Sequence, residues 1–160
     1  RKLVPLNTAQ ETYLQIAAEI TQMGVTNTRN IRSAGPWYMH GHHGYTHRGQ
    51  VLGAGIGPGS NLQSVDLGWV KGMKQAGLRV ERYTHDEDFA NRWIVSTDYR
   101  RNWVDLSFEG YAVWDYQRWV GSLALQYIHA YNYQYGFDFS NFTPHDKSNF
   151  LAKLGVMYRF

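Results

Sequence analysis

Residues 150–160 read FLAKLGVMYRF, an alternation that puts Phe150, Ala152, Leu154, Val156, Tyr158 and Phe160 on one side and Lys153, Gly155 and Arg159 on the other. Period two is the signature of a β-strand with one apolar and one polar face. In a soluble sandwich the apolar face would turn to a core. Here aromatic residues close the apolar row at both ends, Phe150 at one and Tyr158 with Phe160 at the other. Those are the positions at which a membrane strand meets the two faces of a bilayer. A soluble edge strand that ends in Phe is the competing reading.

The chain of 160 residues is long enough for one domain with its own core, and a single domain over 1–160 is expected. No run approaches the ~18 apolar residues of a transmembrane helix. A barrel is compatible with that, because its strands hide their hydrophobicity in alternation. Twelve Tyr, six Trp and 16 Gly suit aromatic girdles and glycine-rich loops. Cysteine is absent, which excludes disulfides, thiolate metal sites and a cysteine nucleophile. The net charge of +3 comes from scattered Lys and Arg, so nucleic acid is not an expected partner. The sequence begins at Arg1 without a Met or signal peptide, which points to a mature chain or a fragment.

Outward from the terminal strand, the same alternation recurs. Residues 1–9, with Pro5 and Asn7, read as a turn or strand entry. Glu11–Gln22 alternates, with Leu14, Ile16, Ala18 and Ile20 on one side; a helix competes there because Ala17, Ala18 and Glu19 are good helix formers. Val65, Leu67 and Trp69 mark a second strand and Ala76, Leu78 and Val80 a third, joined by a tight turn at Gly72. A fourth is expected from about Arg101 to Trp114 and a fifth from Trp119 through Tyr133, with a short turn at Asp115–Arg118 between them. Connections alternate in length, as periplasmic turns and external loops do in outer-membrane barrels. The expected fold is therefore an all-β antiparallel transmembrane β-barrel, with Phe160 on the periplasmic side and the long loops extracellular. Six strands cannot close a membrane barrel whose smallest bacterial examples have eight. The chain is expected to supply about six C-terminal strands of a larger barrel, or one part of an oligomeric one.

Glu19, Asp66, Arg79, Glu81, Asp105, Glu109, Lys153 and Arg159 share the polar parity. Opposite charges on a lumen wall either pair across strands or line a pore. Tyr13, Trp103 and Tyr111 on that face suggest a crowded lumen. Asp105 and Glu109 lie about 13 Å apart along one strand, too far for a glycosidase pair.

The long segment 23–60 lacks regular periodicity and contains no acidic residue. Loops of this length are usually functional or disordered, and its Trp37, Tyr38 and Tyr45 argue for order. His40, His42, His43 and His47 raise a metal hypothesis, but no carboxylate accompanies them, and loop hydrogen bonding is preferred; neither metal nor cofactor is expected. Ser60 with one of these histidines has no nucleophile-elbow sequence around it, so an enzyme ranks last.

Two resemblances sharpen the expectation. Lys153, Gly155, Tyr158 and Phe160 resemble the terminal assembly signal of outer-membrane barrels, which implies the barrel-assembly machinery as a partner. Trp37, Tyr38, His42, Tyr45, Thr46, His47 and Gly49, then Leu52-Gly53 and Ile56-Gly57-Pro58-Gly59 before the Val65 strand, resemble the C-terminal region of capsule-assembly outer-membrane proteins of the Wzi family. That resemblance implies a non-enzymatic barrel that binds surface polysaccharide and helps retain capsule; the family's N-terminal helical region and earlier strands have no counterpart here. The residues expected to hold the glycan are Arg29, Arg32, Trp37, Tyr38, His42, Tyr45, His47 and Arg48: flat aromatic faces and positive charge for an acidic polymer. Membrane lipid and the rest of the barrel or other outer-membrane proteins are the remaining expected partners. A porin-like diffusion channel is the alternative function.

Overall fold

The computed structural model describes residues 1–24, 39–40, 43–44, 46–47, 50–51, 54–90, 102–138 and 143–160. Seven strands form one antiparallel sheet: β1 (Lys2–Asn7), β2 (Thr12–Gln22), β7 (Asn61–Lys71), β8 (Lys74–Thr84), β9 (Val104–Tyr116), β10 (Trp119–Tyr131) and β11 (Lys147–Tyr158). Four two-residue strands between β2 and β7 make two small hairpins, β3 (Met39–His40) with β4 (His43–Gly44) and β5 (Thr46–His47) with β6 (Gln50–Val51). The main sheet runs in simple order β1-β2-β7-β8-β9-β10-β11, so it is open, with β1 and β11 at its edges. Every neighbour is antiparallel. Both edge strands therefore run in the same direction, from the end with long connections to the end with short turns.

The extra strand is the N-terminal one. Residues 1–9 read in the sequence as a turn or strand entry; in the structure Lys2–Asn7 is a strand that pairs with β2 from Lys2↔Ile16 to Asn7↔Thr12, with an irregularity between Pro5 and Asn7. Pro5 cannot donate to a ladder, and an edge strand is where a sheet tolerates it. The fourth expected strand is shifted, starting at Val104 and ending at Tyr116. The fifth stops at Tyr131 because Asn132 (φ 50°) and Gln134 (φ 54°) take left-handed backbone around the 3-10 turn Tyr133–Tyr135, which no strand accommodates. Three short turns lie at one end. That at Gly72 uses a positive φ of 57°, open to glycine at no steric cost, whereas the turns at Glu11 (φ 49°) and Gln117 (φ 53°) place ordinary residues there.

Register carries the apolar rows of successive strands onto one face. Ile16 opposes Leu67, Leu67 opposes Leu78, and Val65 opposes Val80, which in turn opposes Phe108. Phe108 opposes Tyr127, and Tyr127 opposes Phe150. Leu123 meets Leu154 and Trp119 meets Tyr158. This face is open: Leu154 is 81% exposed, Val156 68% and Leu78 67%. The opposite face is polar and more enclosed, with Asp66 and Ser107 both buried at 6%. Relative to a soluble domain the sheet is inside out.

Aromatic side chains gather at both ends of the apolar face. At the short-turn end stand Trp69, Trp114, Tyr116, Trp119, Tyr158 and Phe160, with Trp119 and Tyr158 edge to face at 4.8 Å and Tyr158 and Phe160 at 5.4 Å. Toward the other end are Phe108, Tyr127, Tyr131 and Phe150, all more than two-fifths exposed. From Trp119 to Tyr127 is about 27 Å of strand and to Tyr131 about 40 Å at ~3.3 Å per residue. Tilted by ~40°, those lengths span about 20–30 Å, which brackets the apolar band of a membrane barrel.

Candidate functional site

The middle of the polar face is an interlocked layer. Arg79 Nε lies 3.3 Å from Asp66 Oδ2 and its Nη1 3.7 Å from Glu109 Oε2. Asp66 Oδ1 accepts from the Tyr111 hydroxyl at 2.9 Å and from Gln15 Nε2 at 3.1 Å. Four strands thus converge on one carboxylate. The Tyr111 ring lies over two glycines of the neighbouring strands: a Cβ on Gly77 would stand 2.6 Å from Tyr111 Cζ and 2.7 Å from the Leu67 carbonyl, and one on Gly68 2.7 Å from the hydroxyl. The missing side chains make the slot that the ring fills, an aromatic rescue of glycine in a sheet. An open cleft of about 440 Å³ adjoins the layer beside Ser64, Glu19 and Glu81. At the short-turn end Arg159 pairs with Asp115 and donates to the Gln117 carbonyl at 2.7 Å. Of the sequence-expected lumen charges, Asp66, Arg79 and Glu109 come together here, whereas Asp105 belongs to a second group.

That second group packs the end with long connections. His85 stacks on Trp103 at 3.5 Å and 12°, and the Tyr83 ring lies 4.1 Å from it, tilted by 50°. Its Nε2 lies 2.8 Å from Asp105 Oδ2, and Asp105 Oδ1 accepts from Trp103 Nε1 at 2.9 Å. Tyr133 and Tyr135 meet Trp103 edge on, and Tyr135 donates to the carbonyls of His85 and Asp86 at 3.0 and 3.2 Å. Trp103 therefore clamps the β8–β9 connection to the β10–β11 connection, instead of crowding the middle of the polar face. Tyr83 donates to the Ile56 carbonyl at 2.6 Å. The roots of the 23–60 segment are tied in as well: Met23 N–H donates to Ser60 O, and Gly24 N–H to Asn61 Oδ1. Asn61 Nδ2 reaches Glu87 at 2.5 Å, and the Glu87 amide donates to Gly59 O at 2.7 Å. Burial pushes the Asp86 and Glu87 carboxyls above their ordinary values. It also raises the Tyr135 phenol well above its usual range, with Asp86 and Tyr83 adding to the effect.

At the terminal strand, Gly155 faces Ser122 so closely that a Cβ would lie 2.5 Å from its Oγ. Tyr158 accepts from Arg118 Nη1 at 3.3 Å; Lys153 is exposed, and Phe160, beyond the end of β11, is fully so. Of the residues expected to bind glycan, Arg29, Arg32, Trp37, Tyr38, His42, Tyr45 and Arg48 lie outside the described residues; the backbone of His47 is in β5, opposite Gln50. Sequence reasoning missed the His85–Trp103 clamp. The available signal was an aromatic cluster just outside the ends of two strands, His85 after β8 and Trp103 before β9.

Comparison with known proteins finds no family model, no curated protein and no solved structure that matches this chain.

Proposed function

We propose that this chain is part of an outer-membrane β-barrel whose long-loop end binds surface polysaccharide and helps retain capsule. The observation that carries the membrane half is the inverted sheet: its apolar face is the exposed one, it is bounded by two aromatic belts, and its buried residues include Asp66 and Ser107. Water does not tolerate so large an apolar face on a monomer, whereas lipid requires it. Strands of 11–13 residues in β2, β7, β8, β9 and β10 meet or exceed the ~9–11 needed to cross at a tilt. The glycan half rests on the acid-free segment 23–60, its Trp, Tyr and Arg residues, and its resemblance to Wzi-family proteins. Anchoring the segment's roots at Ser60 and Asn61 would hold such a surface over the barrel mouth.

Two measurements test it. The folded protein in vesicles should run as a heat-modifiable band on a gel. Replacing Trp37 and Tyr45 with Ala should lower retention of labelled capsule on whole cells without changing that band. Unchanged retention by a folded double variant would remove the glycan reading. The open cleft beside Asp66 and Glu81 favours a diffusion channel as the second reading. Stepwise conductance in a planar bilayer that responds to Arg79→Gln would support the channel.

A further inference from the structure

We propose that the short-turn end holds one phospholipid with an anionic headgroup, its phosphate between Lys71 and Lys74 and an acyl chain in a groove on the apolar face. The proposal rests on the membrane reading above. Lys71 and Lys74 stand directly opposite each other across the turn at Gly72, in register. Like charges opposed in this way destabilise a hairpin unless an anion lies between them. Lys74 Nζ sits 4.7 Å over the Trp114 ring, and Trp114 stacks with Trp69 at 6.4 Å and 23°. Together with Gln10 and Glu11 these residues border a cleft of about 440 Å³. Among the described residues, no ion pair is formed by either lysine. Glu11 leaves the cleft with a net positive charge, suited to a phosphodiester.

A free anion would need only the cleft. Ala76, however, pairs with Trp69 on one side and with Ala112 on the other, and so leads from the cleft into a second hollow of about 410 Å³. That hollow is floored by Ala76, Gly110 and Ala112 and walled by Leu78, Leu123 and Leu125. A Cβ on Gly110 would meet only Leu78, at 3.7 Å, so nothing else fills the floor. Paired tryptophans and lysines at the edge of an apolar band, with an apolar groove beside them, match the amphipathic order of a lipid: charged head, interfacial zone, hydrocarbon tail.

The test uses the protein folded into vesicles of equimolar phosphatidylglycerol and phosphatidylcholine, then released in mild detergent and weighed with its retained lipids by native mass spectrometry. The expected result is one retained lipid, with phosphatidylglycerol preferred about fivefold, given roughly fivefold for each of the two lysines near a surface and a similar factor lost to the opposing Glu11. Lys71→Gln with Lys74→Gln should bring the preference to one or below, since Glu11 remains. Ala112→Phe should lower retention of both lipids while inorganic phosphate still binds. A folded double variant that keeps its preference, or unmodified protein that shows none, overturns the lipid site and leaves the barrel reading intact. Displacement of the lipid by millimolar inorganic phosphate alone would reduce the cleft to a simple anion site. A completed barrel containing this sheet that never inserts into the vesicles would overturn both readings.

Discussion

Asp66 is the residue on which the polar face turns, since it receives Arg79, Tyr111 and Gln15 while being almost fully enclosed. Tyr111→Phe removes one donor from a buried carboxylate and should cost about 1–3 kcal/mol in a urea titration of the folded protein. Gly77→Ala should destabilise by a similar ~1–3 kcal/mol, because the new methyl meets the Leu67 carbonyl as well as a ring, and backbone gives way less easily than a side chain. Equal stability of Gly77→Ala and the parent would mean that the tyrosine is not seated in that slot. On the other face, Leu154→Arg should cost about 2–4 kcal/mol if that row meets lipid near its middle. In water the same change would be almost free, since Leu154 is already exposed. The two environments thus give answers of different size from one substitution.

Among the elements, the loop-end clamp is where pH should register. Asp86 and Glu87 hold protons more tightly in the docked loop than an open chain would, because burial disfavours their charged forms. Their stabilisation is therefore complete below the ordinary carboxylate range and is lost as pH rises through their raised values. Hydrogen exchange at the Glu87 amide, which donates to Gly59, should show more protection at about pH 4 than at pH 7, after correction for intrinsic rates. Protection that increased with pH would contradict the burial of these carboxyls. Trp103→Ala should loosen both connections together, seen as new protease cleavage near His85 and Tyr135. Strand existence was legible in the sequence wherever apolar residues alternated over many positions, as in 104–116 and 150–158. Strand ends were less so: Asn132 and Gln134 adopt a backbone that their side chains do not announce, and Pro5 reads as a turn until the sheet edge is known. The polar layer was half legible, since parity placed Asp66, Arg79 and Glu109 on one face. Only the register brings Arg79 opposite both Asp66 and Glu109. His85 and Trp103 were illegible as partners because they sit 18 positions apart on either side of a connection, with no periodicity to relate them.

At the scale of the whole molecule, the two free edges govern behaviour. An unpaired strand edge cannot remain in hydrocarbon, so β1 and β11 must each find a partner once the apolar face is in lipid. β11 has nearly every side chain exposed, and only its β10 side is paired in the described sheet. What kind of partner follows from the shared direction of the edge strands. An antiparallel seam needs neighbours that run opposite ways, and joining β1 directly to β11 would make a parallel seam. Copies of this sheet inserted with a common orientation inherit the same defect at every junction, however many take part. An even, fully antiparallel ring therefore demands an odd number of further strands, the smallest being one. A single reversed strand bonded to β11 on one side and β1 on the other would complete a ring of eight.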